Sequence, residues 1–233
     1  MIRCMKLIQQ PSLSTETECS YIPGKKWRFE FFFAKDLSGP DLNGLLKTGW
    51  RKFGMYYFRP YCDGCGSCVP IRVRAAEFTP SKSQRRTVRK CAGVRAEFGP
   101  LSLRDEIFEI YRDHSESRFG MKVDEDDFIM SFYVESCPSI QSEYYIEDRL
   151  AAVGFLDVSD EALSSVYFIY RSEYSKLGLG TYSVIRETEY AGELGLRYYY
   201  LGYWVRECGR MRYKYGFRPH DLYRWDTGEW VED

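Results

Sequence analysis

The chain lacks any run of roughly 18 consecutive apolar residues, the least that a membrane-crossing helix needs, so nothing in it is expected to span a membrane. It has only two histidines, His114 and His220, and no Ser-His-Asp or Cys-His arrangement is evident; both are read as structural. Net charge is close to absent as well: 33 Lys and Arg against 34 Asp and Glu give −1, which excludes a globally basic nucleic-acid binder. No internal repeat and no low-complexity tract interrupts the 233 residues. The apolar core of Met1–Ile8 is too short for a secretory signal, so the expected compartment is the cytoplasm. The eight cysteines should then be reduced thiols and not a disulfide framework.

What is present is a globular composition, 44% hydrophobic and 29% charged, long enough to bury a real core. Aromatics reach 17%, high enough that some should line clefts that stack bases or peptide side chains. Charge is segregated although it sums to almost nothing. Between Arg72 and Arg95 eight Lys and Arg face a single acid, Glu77, and a second basic run holds Arg206, Arg210, Arg212, Lys214 and Arg218. A basic groove on a near-neutral protein suits a partner that is gripped and released.

By period, Trp27–Phe33 alternates as a strand, and Asp41–Phe53 reads as a helix capped at Ser38 or Asp41. Residues 54–60 are strand-like and stopped by Pro60. Pro80 opens a basic helix, Gly99-Pro100 is the best linker, and residues 1–20 are a lead-in without periodicity. Helices are expected at Leu103–Arg112 and Phe128–Glu135, and Tyr144–Glu147 should pair with Leu150–Val158. The centre of the chain follows: a strand over Ser164–Tyr170, the turn Leu177-Gly178-Leu179-Gly180-Thr181, a helix from Tyr182, and a strand over Arg197–Trp204.

A Gly-x-Gly turn between strand and helix leaves backbone N–H groups pointing at whatever sits over the helix N-terminus, an anion site; the alternative is an ordinary tight connection. The order of elements resembles the GNAT acetyltransferase fold, in which a splayed strand pair flanks the acyl donor and this turn holds its phosphates. Acetyl-CoA-dependent members carry Arg or Gln three residues before the first glycine of the turn. Ser175 stands there, so the phosphates belong to another donor. The expected fold class is therefore α+β, a GNAT-like mixed sheet with flanking helices, plus a smaller cysteine-containing lobe. We divide the chain at 1–98 and 99–233.

Cys62, Cys65 and Cys68 form C-x-x-C-x-x-C, a spacing that gathers thiolates round zinc or an iron–sulfur cluster, with Cys19 as candidate fourth ligand. The alternative is a Gly-rich turn with small buried thiols. Cys4, Cys91, Cys137 and Cys208 stand alone and are read as structural.

Longer blocks are more specific. CSYIP at 19–23, GWRKFG at 49–54, YFRPYCDGCGSCVPIRV at 57–73, PSKSQRR at 80–86, LSSVYFIY at 163–170, LGTYSVIRE at 179–187 and YYLGYWVRECGRMRYKYGFRP at 199–219 occur in this order. Together they resemble the bacterial aspartate/glutamate leucyltransferases, kin to the eukaryotic arginyl-tRNA–protein transferases. The resemblance implies transfer of an amino acid, leucine or arginine, from aminoacyl-tRNA to the α-amine of a protein, which marks it for degradation (an N-degron). Acceptors beginning with Asp or Glu are the expected partners. The eukaryotic Cys-Gly-Tyr-Cys pair reads Cys19-Ser20-Tyr21-Ile22 here, so one cluster ligand is absent.

An α-amine with pKa near 8 is roughly one-tenth neutral at pH 7, and the ester is already activated, so positioning and oxyanion stabilisation should suffice without a cofactor. On this reading Asp157 orients or deprotonates the amine, while Tyr167 and Tyr203 face the tetrahedral oxygen. Arg59, Arg72, Ser83, Gln84, Arg85 and Arg86 are the expected acceptor contacts, with Arg85 and Arg86 shared with tRNA. Leu177, Gly178, Leu179, Gly180, Thr181, Arg210, Arg212 and Lys214 are the expected tRNA and phosphate contacts. A coenzyme A-dependent acetyltransferase and a non-enzymatic metal- or nucleic-acid-binding module are the competing readings.

Overall fold

The structure, a computed structural model, describes residues 5–233; Cys4 and the start of the lead-in lie outside them. Fourteen strands and five α-helices follow one another among the described residues: β1 Lys6–Leu13, β2 Thr17–Glu18, β3 Lys26–Trp27, β4 Phe29–Lys35, α1 Gly39–Lys47, β5 Arg51–Phe53, β6 Tyr56–Pro60, β7 Val69–Arg74, α2 Lys82–Lys90, β8 Val94–Pro100, α3 Asp105–Phe119, α4 Glu125–Phe132, β9 Ser139–Ile146, β10 Arg149–Val158, β11 Ala162–Tyr170, α5 Leu179–Glu193, β12 Tyr198–Trp204, β13 His220–Arg224 and β14 Glu229–Glu232. None of the helices is long and apolar enough to cross a membrane.

An eight-stranded sheet runs β14-β13-β7-β12-β11-β10-β9-β8, and a four-stranded sheet runs β1-β4-β6-β5. Every ladder of the large sheet is antiparallel except β11–β12, which is parallel and joined through α5. The expected α+β mixed sheet with flanking helices is what the chain forms.

Alternation along the strands sends successive side chains to opposite faces. Val153, Phe155 and Ile169 meet Ile107, Ile110 and Phe128 of α3 and α4 on one face. Leu156, Leu163 and Tyr199 meet Val184 and Ile185 of α5. The small sheet turns Phe32, Ala34 and Tyr57 towards Ala162 and Tyr200, which closes it against the large one.

Three expectations are corrected. The helix read over Asp41–Phe53 begins earlier, capped by Ser38 with Asp41 in a reciprocal box, and it stops at Lys47. Gly49 adopts φ +81, a left-handed geometry that ends the helix, and Arg51–Phe53 becomes β5. The Gly99-Pro100 linker lies inside β8, which is an edge strand and so tolerates proline. The lead-in holds β1, which adds to the edge of the small sheet and is exposed along most of its length. The division at 98/99 falls within β8, and β7 lies between β12 and β13, so hydrogen-bonded strands join the two portions.

Candidate active site between two diverging strands

β11 and β12 pair only over Ala162–Ser164 and Tyr198–Tyr200, then separate. Each bears a register irregularity near the parting point. On β11 it falls between Ser165 and Tyr167, opposite β10; on β12 it falls between Tyr200 and Gly202, opposite β7. Such bulges raise the local twist and end pairing. Parting strands leave carbonyl oxygens without ladder donors, and half-buried carbonyls require another partner.

Two cations provide it. Arg51 of β5 donates to Ser164 Oγ at 2.7 Å and to the Ser165 carbonyl. Lys214, in the short 3₁₀ segment Gly209–Gly216, donates through Nζ to the Leu201 carbonyl at 2.8 Å and the Tyr203 carbonyl at 2.9 Å. Between them lies Gly202 at φ +84; a Cβ there would sit 3.7 Å from both Arg51 Nε and Lys214 Nζ. Loss of water, and then the Arg51 charge, push Lys214 down to about 7. Arg51 is likewise pushed down by burial, but a guanidinium stays charged. Arg51 was hidden because its segment reads as helix, and Lys214 was expected on tRNA phosphate; the structure turns it inward.

The expected catalytic residues are placed differently. Asp157, near the end of β10, is buried, ion-paired with Lys52 Nζ at 2.9 Å, and accepts from Ser139 Oγ at 3.1 Å. Its carboxylate thus faces a lysine inside the protein. Tyr203 donates its hydroxyl to the Gly49 carbonyl at 2.8 Å, which ties β12 to the small sheet. Tyr167 stacks on Phe132 at 5.4 Å, and burial pushes its phenol up to about 12. It forms part of an aromatic wall beside the parting strands.

The expected acceptor contacts also divide. Arg72 is buried, bonded to Asp221 at 2.9 Å and the Tyr200 hydroxyl at 3.1 Å, with its guanidinium 3.7 Å from the Tyr198 ring centre and 4.3 Å from that of Trp230. Arg59 pairs with Glu30 at 2.8 Å and lies 4.8 Å from the ring centre of Trp50. Both guanidinium groups are ion-paired within the protein. Gln84 closes the capping box of α2 with Ser81 and donates to the Gly216 carbonyl at 3.1 Å, while Ser83 bonds Ser81. Arg85 and Arg86 remain exposed on that helix.

α2 lies against the glycine turn. Cys91 Sγ approaches the Leu177 carbonyl at 3.6 Å, and a Cβ on Gly178 would meet Thr87 at 3.4 Å. Gly178 takes φ +79 and starts α5, so Leu177, Gly178, Leu179, Gly180 and Thr181 bring a helix N-terminus beside a basic helix. Arg210 and Arg212 are exposed on the segment leading to Lys214, and Arg210 lies 5.6 Å from the Phe119 ring centre at the end of α3.

A buried carboxylate escaped sequence reasoning because only its helical position was visible. Glu187 of α5 accepts from Ser142 Oγ at 2.9 Å, Tyr144 at 3.2 Å and the Tyr199 hydroxyl. Burial pushes it up to about 7 despite these donors. It pins the helix after the glycine turn to β9 and β12. The histidines are structural as expected: burial lowers His114 to about 4, and His220 Nδ1 bonds the Phe217 carbonyl at 2.8 Å.

Cys62 and Cys65 face each other in an isolated antiparallel bridge, and Cys62 exchanges hydrogen bonds with the Arg28 backbone. Burial, then the nearby Cys62, Cys19, Cys65 and Cys208, push Cys68 up to about 12. Among the described residues no group of three or more His, Cys, Asp or Glu is arranged to hold a metal ion. Cys62, Cys65 and Cys68 gather at this turn. They line a cavity of about 430 Å³ with Arg59, Tyr61 and Trp225. Cys91, Cys137 and Cys208 are buried.

Comparison with known proteins adds to this geometry. Residues 17–86 match the N-terminal part of the arginine-tRNA-protein transferase family and residues 106–224 its C-terminal part. The aspartate/glutamate leucyltransferase of Chromobacterium violaceum is 36% identical over 217 residues, 90% of each chain. That of Thiobacillus denitrificans is 34% identical over 212 residues, 89% of this chain and 88% of the relative. A GCN5-related N-acetyltransferase from Kribbella flavida aligns with 68% of this chain and 58% of its own at 14% identity, with a TM-score of 0.41. With both family segments present in order and relatives covered nearly end to end, the chain belongs to the arginine-tRNA-protein transferase family.

Proposed function

We propose that this protein is a cytoplasmic aminoacyltransferase that moves leucine from leucyl-tRNA to the α-amine of proteins beginning with Asp or Glu, creating an N-degron. The observation that carries the reading is the parting of β11 from β12, with Arg51 and Lys214 at the point of separation. A neutral acceptor amine attacks an ester that is already activated, so the protein's task is to align two ends and steady the oxyanion. The leucyl end enters between the strands. The glycine turn 177–181 with Arg85 and Arg86 takes phosphates near the tRNA 3′ end, and Arg210 and Arg212 follow the acceptor stem. Residues 1–98 present the polypeptide, since β5 within them delivers Arg51 to the cleft.

Peptides beginning with Asp, Glu, Arg, Lys or Ala, incubated with leucyl- or arginyl-tRNA and weighed by mass spectrometry, test this directly. Addition of one leucine to the Asp and Glu peptides is expected. Extension with arginine only, or acetylation from acetyl-CoA with no extension, would overturn it.

A further inference from the structure

We propose that Lys214 carries the proton in this transfer, from the attacking α-amine to the departing ribose oxygen, and that Arg51 faces the carbonyl oxygen as it becomes an oxyanion. The proposal rests on the transfer reading above and assigns its chemistry.

The argument starts from valence. A neutral lysine amine has two N–H groups and one lone pair. At Lys214 the carbonyls of Leu201 and Tyr203, at 2.8 and 2.9 Å, take two hydrogens. The third tetrahedral position is left for a lone pair or a third proton. The gap that Gly202 leaves by having no side chain is 3.7 Å from Nζ and 3.7 Å from Arg51 Nε, so both groups border one small space. A third proton on Nζ would add a second positive charge beside the fixed guanidinium. The lone pair meets no such repulsion.

The electrostatics agree. Desolvation and Arg51 lower Lys214 to about 7, while Cys208 acts weakly in the other direction. A base poised near the operating pH is the most effective one. Tyr203, Asp157, Tyr199 and Tyr200 also act on Arg51; burial holds Tyr203 as a neutral phenol, and Asp157 is ion-paired with Lys52.

The step balances. The amine nitrogen lone pair forms the C–N bond, and the carbonyl electrons move to oxygen beside Arg51. Lys214 takes one proton from the now positive nitrogen. The oxyanion electrons re-form the carbonyl as the C–O bond breaks with its pair on the ribose oxygen, which receives that proton from Lys214. Amide and free tRNA hydroxyl leave, with Lys214 neutral again.

Lys214→Arg carries the test, because it keeps donors for the two carbonyls but cannot release a proton, and Lys214→Ala with amine rescue separates that loss from the charge a second guanidinium adds. Single-turnover transfer of leucine to an Asp-peptide is measured for wild type and variant, with leucyl-tRNA binding followed by filter retention and folding by thermal melt. The expected result is a kcat lowered by about 100-fold or more, with tRNA binding within about threefold of wild type. In Lys214→Ala, methylamine should restore rate in proportion to its free-base concentration. A Lys214→Arg enzyme within about threefold of wild-type kcat would overturn the proposal, as would a folded Lys214→Ala enzyme that methylamine leaves unchanged. A wild-type enzyme that extends no peptide would instead sink the transfer reading, so the two failures are distinct.

Discussion

Glu187 offers a stability test with a defined sign. Its carboxylate is surrounded by Ser142, Tyr144 and Tyr199, and no cation among the described residues bonds it. Folding moves its titration from the ordinary 4.5 to about 7. A raised folded value means that the native state holds a proton the unfolded chain has already released. Stability from this group is thus fully present below pH about 4.5 and is lost as pH rises through about 7. At about 1.36 kcal/mol per pH unit the interval is worth roughly 3 kcal/mol. Glu187→Gln keeps the shape and removes the titration. Urea unfolding of wild type and Glu187→Gln across pH 4 to 8 should show their stability difference shifting by about 3 kcal/mol in favour of the variant as pH rises. A difference flat to within about 0.5 kcal/mol would show that Glu187 is not an uncompensated buried acid.

Gly154 faces the same group: a Cβ there would lie 2.4 Å from Ser142 Oγ and 2.6 Å from Glu187 Oε1. Gly154→Ala should therefore cost about 1–3 kcal/mol by overpacking in denaturant titration. Lys52→Met leaves Asp157 buried without its cation and should destabilise by about 3–5 kcal/mol in the same measurement. Pairing it with Asp157→Leu should recover much of the loss, because the pair then disappears together. Arg85→Ala and Arg86→Ala should each lower the salt slope of leucyl-tRNA binding by about 1 if each meets one phosphate. An unchanged slope would remove α2 from the tRNA surface.

Local pattern made the heart of the fold readable. The apolar run of β10, the aromatic β11, the glycine turn and the helical spacing after Tyr182 all speak through neighbours in sequence. The chemistry of the site was less readable because it depends on distant pairs. Asp157 reads as a free strand-end acid until Lys52, 105 residues away, is placed beside it at 2.9 Å. Arg51 reads as a helix residue because nothing in its own window shows that Gly49 ends the helix and that β6 recruits the next three residues. Lys214 sits in a basic run that suggests solvent and phosphate, and only the parting of β12 from β11 supplies the two carbonyls that draw it inward. Pro100 suggests a linker until its place on an outer strand is known.

The central claim is that the leucyl end lies between β11 and β12. A tRNA charged with photo-leucine through a hydrolysis-resistant amide, irradiated on the protein and mapped by peptide mass spectrometry, locates that end directly. The account predicts labels within residues 165–170, 201–204 and the segment holding Lys214. Labels confined to the cysteine-lined cavity around Cys62 and Trp225, with none at the parting strands, would contradict it.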